Sequence, residues 1–151
     1  MQSKINSNKL KPPSTFVIII DNDDADNYIA KRMIKKLLPE ADIKTFTDAK
    51  KALDFIKTGS AKPNAPETLV FLDINMPDMT GWEFMKNFEN LDEKTQQLFT
   101  IFMLTASEDN LDKERARADK KITGYLLKPL TEQALVLVIF NRKKKNADAK
   151  S

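Results

Sequence analysis

Two carboxylates close two uninterrupted apolar runs in this chain. Phe16-Val17-Ile18-Ile19-Ile20 stops on Asp21, and Leu69-Val70-Phe71-Leu72 stops on Asp73. Two further stretches that read as strands, Phe99–Leu104 and Ile122–Leu127, stop on Thr105 and Lys128. Short continuous apolar runs are the habit of strands covered on both faces in a parallel sheet. The carboxyl ends of such strands share one edge, where open α/β sheets place their chemistry. Two or three carboxylates with carbonyl oxygens and water suit a hard cation such as Mg²⁺. A lysine and a hydroxyl suit phosphoryl oxygens, and a carboxylate can itself accept a phosphoryl group as a nucleophile.

Each residue also has a plainer reading. Asp73, before Ile74-Asn75-Met76-Pro77-Asp78-Met79-Thr80-Gly81, could merely cap a turn, and Lys128 before Pro129 could be a solvated loop lysine. After Asp21 come Asn22, Asp23, Asp24 and Asp26. One or two such acids serve as caps at a helix amino end. Four acids within six positions exceed that need, and their mutual repulsion is costly unless a cation relieves it.

Composition narrows the choices. The 151 residues contain no cysteine and no histidine, which excludes disulfides, thiolate and imidazole metal ligands, cysteine nucleophiles and Ser-His triads. Three glycines cannot build a glycine-rich phosphate loop. No apolar run approaches the ~18 residues of a membrane span, and the amino end has no signal-peptide core, so a cytoplasmic protein is expected. The formal charge of +3 is unevenly spread. Lys4, Lys9 and Lys11 put +3 on residues 1–14; Arg142, Lys143, Lys144, Lys145 and Lys150 against Asp148 put +4 on 141–151, leaving −4 on 15–140. That argues against a nucleic-acid face on the domain, with only weak polyanion contact open to the ends.

The elements that must position these groups follow from periodicity. Residues 1–14 read as a disordered leader, 15–140 as one domain and 141–151 as a basic tail. Helical spacing of Ile29, Met33 and Leu37 runs from about Asp24 to Leu38, ended by Pro39. Ala41–Phe46 reads as a strand; Ala49, Ala52, Leu53 and Ile56 make an apolar stripe, with Thr47 or Asp48 as cap and Gly59 at its end. A two-proline loop spans Gly59 to Thr68, and a helix from about Trp82 turns Phe84, Phe88 and Leu91 inward. Glu108–Lys121 has helical composition but only Leu111 and alanines for a stripe, so it is weakly anchored. A last helix starts near Thr131. Five βα units predict a doubly wound parallel α/β sheet.

Four stretches, Ile20-Asp21-Asn22-Asp23, Phe71-Leu72-Asp73-Ile74-Asn75-Met76-Pro77, Leu104-Thr105-Ala106-Ser107 and Gly124-Tyr125-Leu126-Leu127-Lys128-Pro129, resemble the signatures of response-regulator receiver domains, in order, over residues 15–140. The chain is similar to the stand-alone, chemotaxis-type members. The resemblance implies the flavodoxin-like strand order 2-1-3-4-5. It implies that Asp73 accepts a phosphoryl group from a histidine kinase or phosphotransfer protein and passes the signal to a downstream protein. It implies Mg²⁺ held by Asp21, Asn22, Asp73 and the carbonyl of Asn75, with Lys128 and Thr105 as catalytic contacts to the phosphoryl group. Thr105 and Tyr125 would move together as the switch; otherwise both are plain strand packing. The pattern departs at Asn22, where the family has a second acid. An amide oxygen still coordinates Mg²⁺ but brings no charge, so weaker metal binding and slower phosphorylation are expected, with Asp23 as a possible extra acid.

Leu135-Val136-Leu137-Val138-Ile139-Phe140 is apolar all round. A helix on one side of a sheet needs only a stripe such as Leu135, Val138 and Ile139, which leaves Val136 and Phe140 as a partner or homodimer surface; a strand or a deeply buried helix is the alternative. Two other functions compete with the switch. A phosphorylation-independent pseudo-receiver that binds partners draws on Asn22. An aspartyl phosphatase would want an acid at position 75, where Asn75 stands.

Overall fold

The computed structural model describes residues 15–59 and 67–150, with side chains described to Arg142. The leader 1–14, most of the two-proline loop and the basic tail's side chains from position 143 onward lie outside the described residues.

Five strands form one parallel sheet in the order β2-β1-β3-β4-β5. They are β1 (Phe16–Ile20), β2 (Asp42–Phe46), β3 (Thr68–Asp73), β4 (Phe99–Thr105) and β5 (Ile122–Leu127). Alternating helices α1 (Asp24–Leu37), α2 (Ala49–Lys57), α3 (Gly81–Phe88), α4 (Asn110–Ala118) and α5 (Glu132–Lys150) cover both faces. The doubly wound expectation holds. The three central strands are buried almost throughout because neither face is wet: Ile18, Ile20, Val70, Leu72, Ile101 and Met103 pack under α2 and α3. Val17, Ile19, Leu69, Phe71, Phe102 and Leu104 pack under α1 and α5. Phe71 and Phe102 stack with ring centroids 5.0 Å apart. Edge strand β2 is largely exposed, as its mixed composition requires.

Local chemistry sets the helix starts. Asp23 caps α1 by accepting from the backbone N–H groups of Ala25 and Asp26, and Asp48 caps α2 in the same way. Thr80 and Glu83 form a reciprocal capping box on α3. Gly59 ends the α2 segment with a left-handed φ of 72°, which favours glycine. The four residues of the α2 stripe, Ala49, Ala52, Leu53 and Ile56, are all buried.

Three details differ from the periodic reading. In α1 the buried residues are Asn27, Ala30 and Ile34, while Ile29 is exposed, because the sheet meets the face one position further along. In α4 Leu111 is exposed and only Ala116 is buried. The helix is tied instead by Trp82 of α3, whose indole N–H donates to Asp112 at 3.0 Å while Arg115 lies over its ring. A single helical turn, Glu93–Gln96, precedes β4 without any apolar period to announce it; Gln96 is buried there and donates to the carbonyls of Glu89 and Leu91. Helix α5 continues past residue 140, and Arg142 pairs with Glu67 at 2.6 Å beside the start of β3. Among the described residues no helix is long and apolar enough to cross a membrane.

Gly81 joins the site to this frame. Its N–H donates to the Ile74 carbonyl at 2.8 Å, folding the loop after β3 back under α3. A Cβ there would lie 2.8 Å from the Asp73 carbonyl oxygen and 2.9 Å from Ile74 Cα, both backbone. Gly81→Ala is expected to cost about 2–3 kcal/mol and to lower Tm by about ten degrees. Calorimetry checks this, and an unchanged Tm would mean that the loop yields freely.

Candidate functional site

Parallel pairing decides what meets at the carboxyl edge. Ile20 pairs with Leu72, Asp73 with Leu104, and Thr105 with Leu127, so Asp21, Asp73, Thr105 and Lys128 follow one another across adjacent strand ends. The Lys128 N–H donates to the Thr105 carbonyl at 2.7 Å, and the Lys128–Pro129 peptide is cis.

The Lys128 ammonium sits among three carboxylates. Its Nζ lies 2.5 Å from Asp21 Oδ2, 3.1 Å from Asp26 Oδ2 and 3.4 Å from Asp73 Oδ1. Of these only the Asp26 contact has the directionality of a hydrogen bond. Asp21 and Asp73 are buried, and the Lys128 side chain is 15% exposed. Burial pushes the Asp73 carboxyl up to about 6, and the charge of Asp21 adds to it; Lys128 and the Asn75 N–H pull the other way without winning. For Lys128 burial lowers the pKa, but the contact with Asp21 and the charges of Asp73 and Asp21 outweigh it and leave the ammonium raised.

Asn75 links the carboxylate to the hydroxyl. Its N–H donates to Asp73 Oδ1 at 3.3 Å, and its Nδ2 lies 3.5 Å from Thr105 Oγ1. Thr105 is fully buried, and its hydroxyl also accepts from the Ser107 N–H at 3.0 Å. Tyr125 is half-buried, with its hydroxyl 3.5 Å from the Ser107 carbonyl; burial raises its pKa, helped by Asp112 and Asp109. Thr105 and Tyr125 thus converge on the same short loop, through opposite groups of Ser107.

The remaining acids divide. Asn22 is exposed beside Asp21, and Asp23 is exposed with Oδ1 engaged in capping α1. Asp26, read in the sequence only as one of the clustered acids, reaches the ammonium from the first turn of α1. No linear pattern marks it, since a carboxylate in that turn is equally a dipole partner. At the last helix Phe140 is exposed and Val136 half-buried; Leu137, adjacent to both, is also exposed.

The donor set fits a hard cation. Asp21 Oδ2 is buried and met by the Lys128 ammonium, and two carboxylates with the oxygens of Asn22 and Asn75 are the ligands such an ion prefers. Among the described residues no group of three acidic side chains is placed to bind a metal, so neutral oxygens would have to complete the shell of any such ion.

Residues 17–140 match the response regulator receiver domain. A two-component response regulator from Cytophaga hutchinsonii is 26% identical and superposes with a TM-score of 0.76, covering 87% of this chain and 98% of its own. The chemotaxis protein CheY4 of Vibrio cholerae shares the fold at 22% identity and a TM-score of 0.67, covering 85% of this chain and 98% of its own. A probable methanogenesis regulatory protein, FilR2 of Methanothrix harundinacea, is 23% identical over 120 residues, 80% of this chain and 76% of that protein. The chain belongs to the receiver domain family. It is a response-regulator receiver of two-component signalling, a class of switch that interacts with histidine kinases and downstream targets.

Proposed function

We propose that this receiver accepts a phosphoryl group on Asp73 from a histidine kinase or phosphotransfer protein in the cytoplasm. The observation that carries the reading is the buried Asp73 carboxylate with an ammonium 3.4 Å away and Asn75 tying it to the Thr105 hydroxyl. A carboxylate oxygen attacks phosphorus, the bond from phosphorus to the donor nitrogen breaks, and the released imidazole takes a proton from solvent. Lys128 balances the charge gathered on the phosphoryl oxygens, and the Thr105 hydroxyl donates to one of them. Asp21, Asn22, Asp73 and the Asn75 carbonyl would hold Mg²⁺, which supplies charge neutralisation at the phosphoryl oxygens. When Thr105 turns toward the phosphoryl group it leaves the Ser107 N–H, loosening the loop that Tyr125 contacts and the start of weakly anchored α4.

Incubation with acetyl phosphate and Mg²⁺, followed by intact mass, tests this. One phosphoryl group is expected on the wild type and none on Asp73→Asn. No gain at any Mg²⁺ level would leave a pseudo-receiver that acts by binding alone.

The output surface in this reading includes Val136, Leu137 and Phe140 of α5, a partner or homodimer face. Val136→Lys with Phe140→Lys is expected to abolish any self-association of the phosphorylated protein in sedimentation. Identical, monomeric sedimentation of wild type and variant, with no partner lost, would reject that surface.

A further inference from the structure

Asn22 removes a charge where the family's pattern has an acid, yet the site is not short of charge. Asp21, Asp26 and Asp73 surround Lys128, and three carboxylates with one ammonium leave two negative charges, which one divalent cation neutralises. Without Asp26 only one would remain.

The placement of Asp26 also bears on where the ammonium rests. Asp21 and Asp73 are held at 1% and 5% side-chain exposure, whereas Asp26 is at 40%, on a helix turn open to solvent. Lys128 Nζ lies nearest Asp21 Oδ2, at 2.5 Å, and makes its next contact, a directional hydrogen bond, with Asp26 Oδ2 at 3.1 Å. A hollow of about 40 Å³, lined by Asp21, Asp26, Ile29, Leu104, Lys128 and Pro129 among others, gives the ammonium room on the α1 side. Asp21 and Asp26 together hold the ammonium on the α1 side, and its longest contact, 3.4 Å, is to Asp73.

We infer that Asp26 is a positioning residue for Lys128: with Asp21 it holds the ammonium on the α1 side of the site, farthest from Asp73, and it carries the negative charge that Asn22 lacks. This rests on the phosphoryl-acceptor reading for its purpose, but not for its geometry. The weak Mg²⁺ binding expected from Asn22 alone omits this second charge.

Two measurements test it without phosphorylation. In the metal-free protein, the ¹⁵N resonance of the Lys128 ammonium is expected to shift on Asp26→Asn and to return toward the wild-type position in Asp26→Glu. In calorimetric titration with Mg²⁺, Asp26→Asn is expected to bind about tenfold more weakly. Moving the charge, in Asn22→Asp with Asp26→Asn, should restore affinity to within about threefold of wild type. An unmoved Lys128 signal, Mg²⁺ affinity of Asp26→Asn within about twofold of wild type, or a double variant no tighter than the single would each overturn the inference. A wild type that binds Mg²⁺ in this pattern yet takes no phosphoryl group would refute the proposed function and leave the role of Asp26 standing.

Discussion

At pH 7.5 without divalent cations, Asp73→Asn is expected to be more stable than the wild type by about 2–3 kcal/mol. Asp73 titrates near 3.8 when unfolded and at about 6 in the fold, raised first by burial and then by Asp21. The folded state therefore holds the proton more tightly. The stability this contributes is complete below pH 3.8 and is lost as pH rises through about 6. A shift of about two units corresponds to about 3 kcal/mol, with the lower figure allowing for the coupling to Lys128. Asparagine has the same shape, keeps an oxygen for the Asn75 N–H and carries no charge, so the difference should vanish toward pH 4 and grow through pH 6. Urea unfolding at four pH values measures it. A wild type that gains stability from pH 4 to 7.5 as steeply as Asp73→Asn would show that the carboxylate is not strained by its surroundings.

Lys128→Met should have the opposite sign and a larger size. It leaves Asp21 and Asp73 buried without the ammonium that now sits 2.5 and 3.4 Å from them. Losing one member of a buried charge set costs about 3–5 kcal/mol. The loss should be largest near pH 8 and recover on acidification, because protonating the carboxylates removes the repulsion. Phosphoryl uptake should fall by about a hundredfold, the usual loss on removing one preorganised charge from a reacting group. Lys128→Arg is expected to keep most of the stability and little of the rate, since the planar guanidinium cannot occupy the same point. Equal stability of wild type and Lys128→Met at pH 8 would mean that the carboxylates are already hydrated.

These two residues were readable from the sequence because each follows a stretch that reads as a strand, and parallel pairing brings such ends to one edge. Thr105 follows from the same argument. Asp26 does not, because it stands one helical turn beyond the strand and its reach depends on how α1 crosses the sheet. The exposure of Leu111 was hidden for a similar reason: apolar spacing suggests a stripe, but the anchor of α4 is Trp82, a residue about thirty positions earlier. Leu137 escaped notice within a run where every residue is apolar, since periodicity carries no information there. Strand identity was legible from the residues and strand order from the receiver resemblance; contacts made by helices across the sheet were not.

The central claim is that one carboxylate carries the phosphoryl group. Treatment with acetyl phosphate and Mg²⁺, then borohydride, reduces an acyl phosphate to an alcohol and converts the modified aspartate to homoserine. Peptide mapping is expected to find homoserine at position 73 alone. Homoserine at Asp21 or Asp26, or none while phosphate is bound elsewhere, would contradict the account.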